Sequence, residues 1–168
     1  MPIILARIDD RLIHGQVVEG WLKAIGADQI MIVSDEVAKD KMQQTLMSMA
    51  VPKEIKVSCL SIDDAAGKLL DPSVHMSRIM LLFSYPKDVK RLMDKGVKLT
   101  SLNVGGMHFS PGKKQILPTM SVDNEDVEML MEIGGRGVEL EGRVIPVAEK
   151  TDVMEILEKE FGKAGKSS

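Results

Sequence analysis

Apolar runs alternate with helical spacings along this chain, and the alternation predicts its elements. Residues 2–6 are continuously apolar, the pattern of a strand buried on both faces. Farther on, Val17, Val18, Trp21, Leu22 and Ile25 fall on one helical stripe, and Gly26 predicts its end. Residues 29–33 read as a second strand. Asp35 is placed to cap a helix whose face is Val37, Met42, Leu46 and Met49, with Pro52 as its stop. A third strand is expected over 55–60. Ser61 followed by Asp64 predicts the cap of a helix running to Leu70, and Asp71-Pro72 breaks it. Residues 79–83 form the most apolar run and predict a central strand. Pro86 suits the first turn of a helix carrying Val89, Leu92 and Met93 and ending at Gly96. A fifth strand over 99–104 runs into Gly105-Gly106.

The last third is less regular. Pro118, inside 113–120, points to an edge strand or a bulge. Asp123 can cap a helix bearing Val127, Leu130, Met131 and Ile133. Across 138–147, a Glu141-Gly142 turn between apolar alternations predicts a short hairpin or bent edge strand. Asp152 with Glu155 caps a final helix. The rhythm predicts an α/β fold: an open, mostly parallel sheet with helices on both faces, and antiparallel strands near the C-terminal end. One domain is expected over 1–161, with a flexible tail at 162–168.

Composition narrows the partners. A net charge of −3 without a basic block argues against nucleic acid. Aromatic residues are 3% of the chain, so its 13 methionines must fill much of the core. The single Cys59 lies in an apolar run and reads as buried and inert. The start lacks a signal-peptide pattern and no run is long enough to span a membrane, so a cytoplasmic setting is expected.

The candidate chemistry lies in Arg7-Ile8-Asp9-Asp10-Arg11-Leu12-Ile13-His14-Gly15-Gln16, between the first strand and the first helix. Ligands of open α/β sheets bind outside the carboxyl ends of the strands. A neutral imidazole is a good nucleophile toward phosphorus, and a helix start offers N–H groups and a positive dipole end to the phosphate. His14 is therefore expected to be a phosphoryl-accepting nucleophile, with Gly15 leaving room for a donor. Arg11, ahead of Arg7, is the candidate for a guanidinium fork on the phosphate, because phosphoryl transfer is mostly positioning and charge compensation; the alternative for Arg7 is to hold the loop through a salt bridge. Asp9 and Asp10 would repel that phosphate, so one of them, Asp10 before Asp9, should orient His14 or Arg11; the alternative for either is to cap the turn, and the residues alone do not decide. Two further turns are expected at the same edge as phosphate or docking loops: Ser84-Tyr85, and the stretch holding Asn103, Gly105 and Gly106. His75 and His108 read as surface residues. No metal-ligand spacing is present, and no soluble cofactor is required. The dinucleotide glycine pattern is missing, and Gly165-Lys166-Ser167 lacks the first glycine of a phosphate loop.

The stretch from Arg7 to Gln16 also resembles the amino-terminal signature of the IIB component of mannose/fructose/sorbose-type sugar phosphotransferase systems, and the stretch Asn103-Val104-Gly105-Gly106 resembles a loop of the same family. The resemblance covers nearly the whole chain. It implies a phosphohistidine carrier: a protein-histidine–sugar phosphotransferase component that accepts phosphate from a phosphorylated IIA protein or domain. The acceptor would be a hexose or related sugar presented by membrane IIC and IID components, with the chain associating peripherally with that complex. The alternative is a non-phosphorylated regulatory or scaffold module of the same fold that binds a phosphorylated partner.

Overall fold

A computed structural model of the chain describes residues 2–162. Seven strands among these residues form one sheet. The first half builds outward from β1 (Ile3–Asp9) through β2 (Gln29–Val33) to the edge strand β3 (Lys56–Leu60), and β4 (Ile79–Phe83) inserts between β2 and β1. The chain then crosses to the other side of β1 with β5 (Ser101–Gly106) and β8 (Glu139–Gly142). All these neighbours pair in parallel. Only β9 (Thr151–Asp152) pairs antiparallel within this sheet, against β8. A separate antiparallel pair joins β6 (Lys114–Leu117) to β7 (Met120–Val122), with Pro118 in the turn between them. The expected open, mostly parallel α/β sheet is what the chain forms.

Helices cover both faces. On one lie α1 (Gly15–Ile25) and α2 (Lys41–Met49); on the other lie α3 (Ile62–Leu70), α4 (Pro86–Asp94), α5 (Asn124–Gly135) and α6 (Val153–Phe161). Strand alternation sorts the side chains. Ala6, Ile8, Met31, Val33, Leu81 and Phe83 enter the larger core under α3–α6, whereas Ile30, Ile32, Met80 and Leu82 meet α1 and α2. Both faces of β2 and β4 are therefore apolar, which is why these two strands read as uninterrupted runs.

Local signals act as expected at most boundaries. Gly26 ends α1 at φ 65°, Ser61 accepts from the Asp64 amide, and Asp123 and Asp126 form a reciprocal cap on α5. Four expectations need correction. Strand β1 runs on through Asp9, so Arg7 and Asp9 lie within the sheet. Asp35 does not cap the helix that follows it; its carboxylate accepts from the Ile62 amide, and Asp40 caps α2. Met42, Leu46 and Met49 are 76%, 62% and 77% exposed, and Met47 is the residue of α2 that enters the core. The hairpin turn at Glu141-Gly142 is absent: β8 continues through both residues, because Glu141 pairs with Asn103 on one side and Asp152 on the other. The expected tail lies outside the described residues from 163 onward, as do the side chains of Val17 and His75.

No helix among the described residues is long and apolar enough to cross a membrane.

Candidate functional site

The C-terminal end of β1 lies between those of β4 and β5. Ile8 is level with Phe83 and with Val104, and Asp9 is level with Gly106 across a bulge. Three turns therefore leave the sheet together: Asp10 to His14, Ser84-Tyr85, and the segment after Gly106. Alternation sends Ile8 into the larger core and turns Arg7 and Asp9 to the α1 face.

Asp9 is the hub. Its Oδ2 accepts from His14 Nε2 at 2.7 Å and from Arg7 Nη2 at 3.0 Å. Its Oδ1 accepts from the Arg11 amide at 3.1 Å, with Arg11 Nε at 3.5 Å. Burial pushes the Asp9 carboxyl up, but the His14 hydrogen bond, the Arg11 amide and the charges of His14 and Arg7 outweigh it, so the carboxyl sits below its ordinary range. An ionised Asp9 can only accept, so His14 presents Nε2–H to it, and in the neutral ring the Nδ1 lone pair is then left for other partners. His14 itself holds the cap position of α1 in an extended conformation, and its side chain caps none of the first amides, the groups that can receive an anion at a helix start.

Arg7 is fully buried and paired with Asp9, which excludes it from the phosphate fork and matches the alternative expected for it, a salt bridge. Nη1 donates to Asn103 Oδ1 at 2.5 Å and to the Arg143 carbonyl at 2.9 Å. The guanidinium carbon lies 5.4 Å from the Trp21 ring centroid, and that of Arg143 lies 5.1 Å from it. Arg7 therefore holds Asp9 and is sealed from any substrate. Gly105 makes room for it: a Cβ there would stand 2.1 Å from the guanidinium carbon. A Cβ on Gly106 would stand 3.0 Å from Asp9 Oδ1, a milder crowding. Both glycines lie in β5 rather than in a phosphate-binding loop, and Asn103 is a buried strand residue.

Arg11 is the arginine that remains accessible, with its side chain 45% exposed. Asp10 faces away from His14; it accepts from the amide of His108 at 2.7 Å and from that ring's Nδ1, tying the segment after β5 across the β1–α1 turn. Ser84 is buried at the end of β4, and Tyr85 is half-exposed at the cap of α4. Gly15 adopts φ 47° with open space around it.

Cys59 lies elsewhere. It sits on edge strand β3, separated from β1 by β2 and β4, in a cleft of about 820 Å³ lined also by Gln44, Thr45, Met49 and Val57. Burial pushes its thiol up. Among the described residues no group of His, Cys, Asp and Glu is arranged to hold a metal ion.

Sequence reasoning missed Glu141, Arg143 and the role of Trp21. The available signal was two charges two residues apart inside an apolar stretch, which places both on one face of a strand.

The comparisons come from three directions. A family model described as the PTS system sorbose subfamily IIB component matches residues 3–167. The chain is 42% identical over 159 residues to the mannose-specific EIIAB component of Escherichia coli K12, covering 95% of this chain and 49% of that protein. It thus spans about half the length of the mannose relatives it matches. It is 39% identical to the fructose-specific EIIB component of Bacillus subtilis, covering 94% of this chain and 96% of the relative. The crystal structure of the IIBSor domain of the sorbose permease from Klebsiella pneumoniae superposes with a TM-score of 0.91 at 36% identity, covering 95% of this chain and 98% of that one.

These findings correct one expectation. That expectation is the phosphohistidine carrier, a protein-histidine–sugar phosphotransferase. The relatives are IIB components specific for particular sugars, and no phosphohistidine comes with those descriptions. The chain also holds one thiol, and a cysteine thiolate is a nucleophile in its own right. The histidine-specific assignment is therefore withdrawn; the IIB assignment stands. With a family model spanning nearly its full length and relatives near 40% identity, the chain belongs to the sorbose subfamily of phosphotransferase-system IIB components.

Proposed function

We propose that this chain is the phosphotransfer component that takes a phosphoryl group from a phosphorylated IIA protein or domain and delivers it toward a hexose or related sugar presented by membrane IIC and IID components. The observation that carries the reading is the Asp9-centred cluster, in which one buried carboxylate holds His14, Arg7 and the Arg11 amide at the open start of α1. Such a site suits phosphoryl transfer. The Arg11 fork and the helix amides can offset phosphate charge, and the Asp9–His14 hydrogen bond fixes the ring beside them. The sugars named for the relatives, mannose, fructose, sorbose and N-acetylgalactosamine, share one substrate class.

A second reading places the transfer at Cys59, on the strength of its cleft between α2 and β3. The raised thiol pKa lowers its thiolate fraction at neutral pH.

The test is brief phosphorylation by phospho-IIA followed by mass mapping at neutral pH. A phosphate mapped within the β1–α1 turn, and lost in His14→Ala, supports the cluster as the site. A phosphate on Cys59, lost in Cys59→Ser, moves the chemistry to the cleft. A chain that takes no covalent phosphate from any phospho-IIA overturns the function itself.

A further inference from the structure

Arg7, Asn103 and Glu141 stand at one register on three neighbouring strands. Arg7 is level with Asn103 on β5, and Asn103 with Glu141 on β8. Their side chains join in a row. Asn103 accepts from Arg7 through Oδ1 and donates through Nδ2 to Glu141 Oε1 at 3.1 Å. Arg143 closes the row with two bonds to the Glu141 carboxylate, each 2.8 Å. Its backbone oxygen turns back to accept from Arg7 and, at 3.2 Å, from Asn103. The row ends at Asp9, where Arg7 and His14 share Oδ2.

We propose that Glu141, clamped by Arg143, is a positioning residue for His14. This deepens the phosphotransfer reading and rests on it. The physical basis is the donor and acceptor count. An asparagine amide can turn either end toward a neighbour, but a carboxylate only accepts. Glu141 therefore draws the Nδ2 end of Asn103 and leaves Oδ1 for Arg7. With its Nη1 so engaged, the guanidinium aims Nη2 at Asp9 Oδ2, and the carboxylate is held at the angle that meets the ring. Charge also balances along the row: Arg7 and Arg143 face Asp9 and Glu141. Glu141 is buried, so its action reaches His14 through the row and not by touching phosphate.

Glutamine at position 141 keeps the shape but presents both a donor and an acceptor. Asn103 can then reverse, and its NH₂ meets the Arg7 donors. In Glu141→Gln, the His14 Nε2 proton should exchange with solvent at least about tenfold faster in NMR spectra. The single-turnover rate of phosphate acceptance should fall about tenfold, with the concentration dependence on phospho-IIA unchanged. Arg143→Lys, which keeps the charge and loses the fork, should move both readouts in the same direction. If Glu141→Gln fails to fold by circular dichroism, Arg143→Lys decides the case. A lowered melting temperature with the His14 proton and the transfer rate both at wild-type values would overturn the proposal, since a merely structural role predicts that result. The ring measurement needs no donor. A wild-type chain that takes no phosphate would therefore remove the phosphotransfer reading, while the NMR result separately decides whether Glu141 positions the ring.

Discussion

His14 Nε2 and Asp9 Oδ2 lie 2.7 Å apart, and the oxygen that receives the ring also receives buried Arg7. One carboxylate thus compensates a sealed guanidinium and orients a solvent-reachable imidazole. Asp9→Asn should damage both. Removing one partner of a buried pair typically costs about 3–5 kcal/mol. Urea unfolding at neutral pH should show a loss of this order, with slower phosphate acceptance by the folded fraction. A variant with wild-type stability would show that Arg7 does not depend on Asp9.

Arg11 should behave differently from Arg7 because it is accessible. Arg11→Lys replaces a planar fork by a point charge and leaves the fold untouched. Losing part of an anion clamp costs roughly 1–3 kcal/mol in the transition state, a ten- to hundredfold slower transfer. Single-turnover phosphotransfer with circular dichroism as the control measures this, and an unchanged rate would remove Arg11 from the site.

Two glycines make a matched pair. Gly105→Ala drives a methyl into the Arg7 guanidinium, which is fixed on three sides, and overpacking of this kind costs about 1–3 kcal/mol or more. Gly20→Ala, in α1 with nothing within 4 Å of the added carbon, should stabilise by roughly 0.5–1 kcal/mol. Thermal unfolding of the two variants should shift in opposite directions.

Burial pushes the Asp88 carboxyl up to about 6 against the opposing charges of Lys87 and Arg91, with Asp35 and Glu36 adding to the rise. The folded chain therefore keeps this proton where the unfolded chain, with a carboxyl near about 4, has released it. The resulting stability is fully present below the unfolded value and is lost as pH rises through about 6. Asp88→Asn should be more stable than wild type at pH 8, by roughly 1–3 kcal/mol, with the difference vanishing near pH 4. Denaturant titrations across this range test the sign; a difference independent of pH would show that Asp88 does not titrate in the fold.

Most of the fold was legible because β2 and β4 are apolar on both faces and the caps at Ser61, Asp123 and Asp152 are local. Legibility failed where charge entered the sheet. Arg7 and Asp9 read as loop residues because an isolated charge is costly in a strand; Arg7 is accommodated here by Asn103 and Arg143, far along the chain, and Asp9 by Arg7 and the turn that follows it. Glu141-Gly142 read as a turn for the same reason. The site was visible as a stretch, but the division of labour between Asp9 and Asp10 depended on where β1 ended and on His108, which is remote in sequence. The face of α2 was misjudged because helical spacing identifies a stripe without saying what lies beneath it; Met47 reaches the core and Met42, Leu46 and Met49 do not.

Leu12 turns at φ 58°, in the left-handed region, and it is the one non-glycine residue among those described that does so. Its amide closes the turn onto the Asp9 carbonyl at 2.8 Å, and its side chain is buried among Ile13, Val18 and Trp21. A left-handed leucine costs about 1–2 kcal/mol that a glycine would not, so the turn keeps its shape only while the leucine stays seated. The segment bearing His14 thus works as a catch instead of a hinge: it cannot swivel toward an arriving partner without drawing an anchor out of the core. Whatever approaches the ring meets it already in place, and the geometry of that approach is set by this chain beforehand.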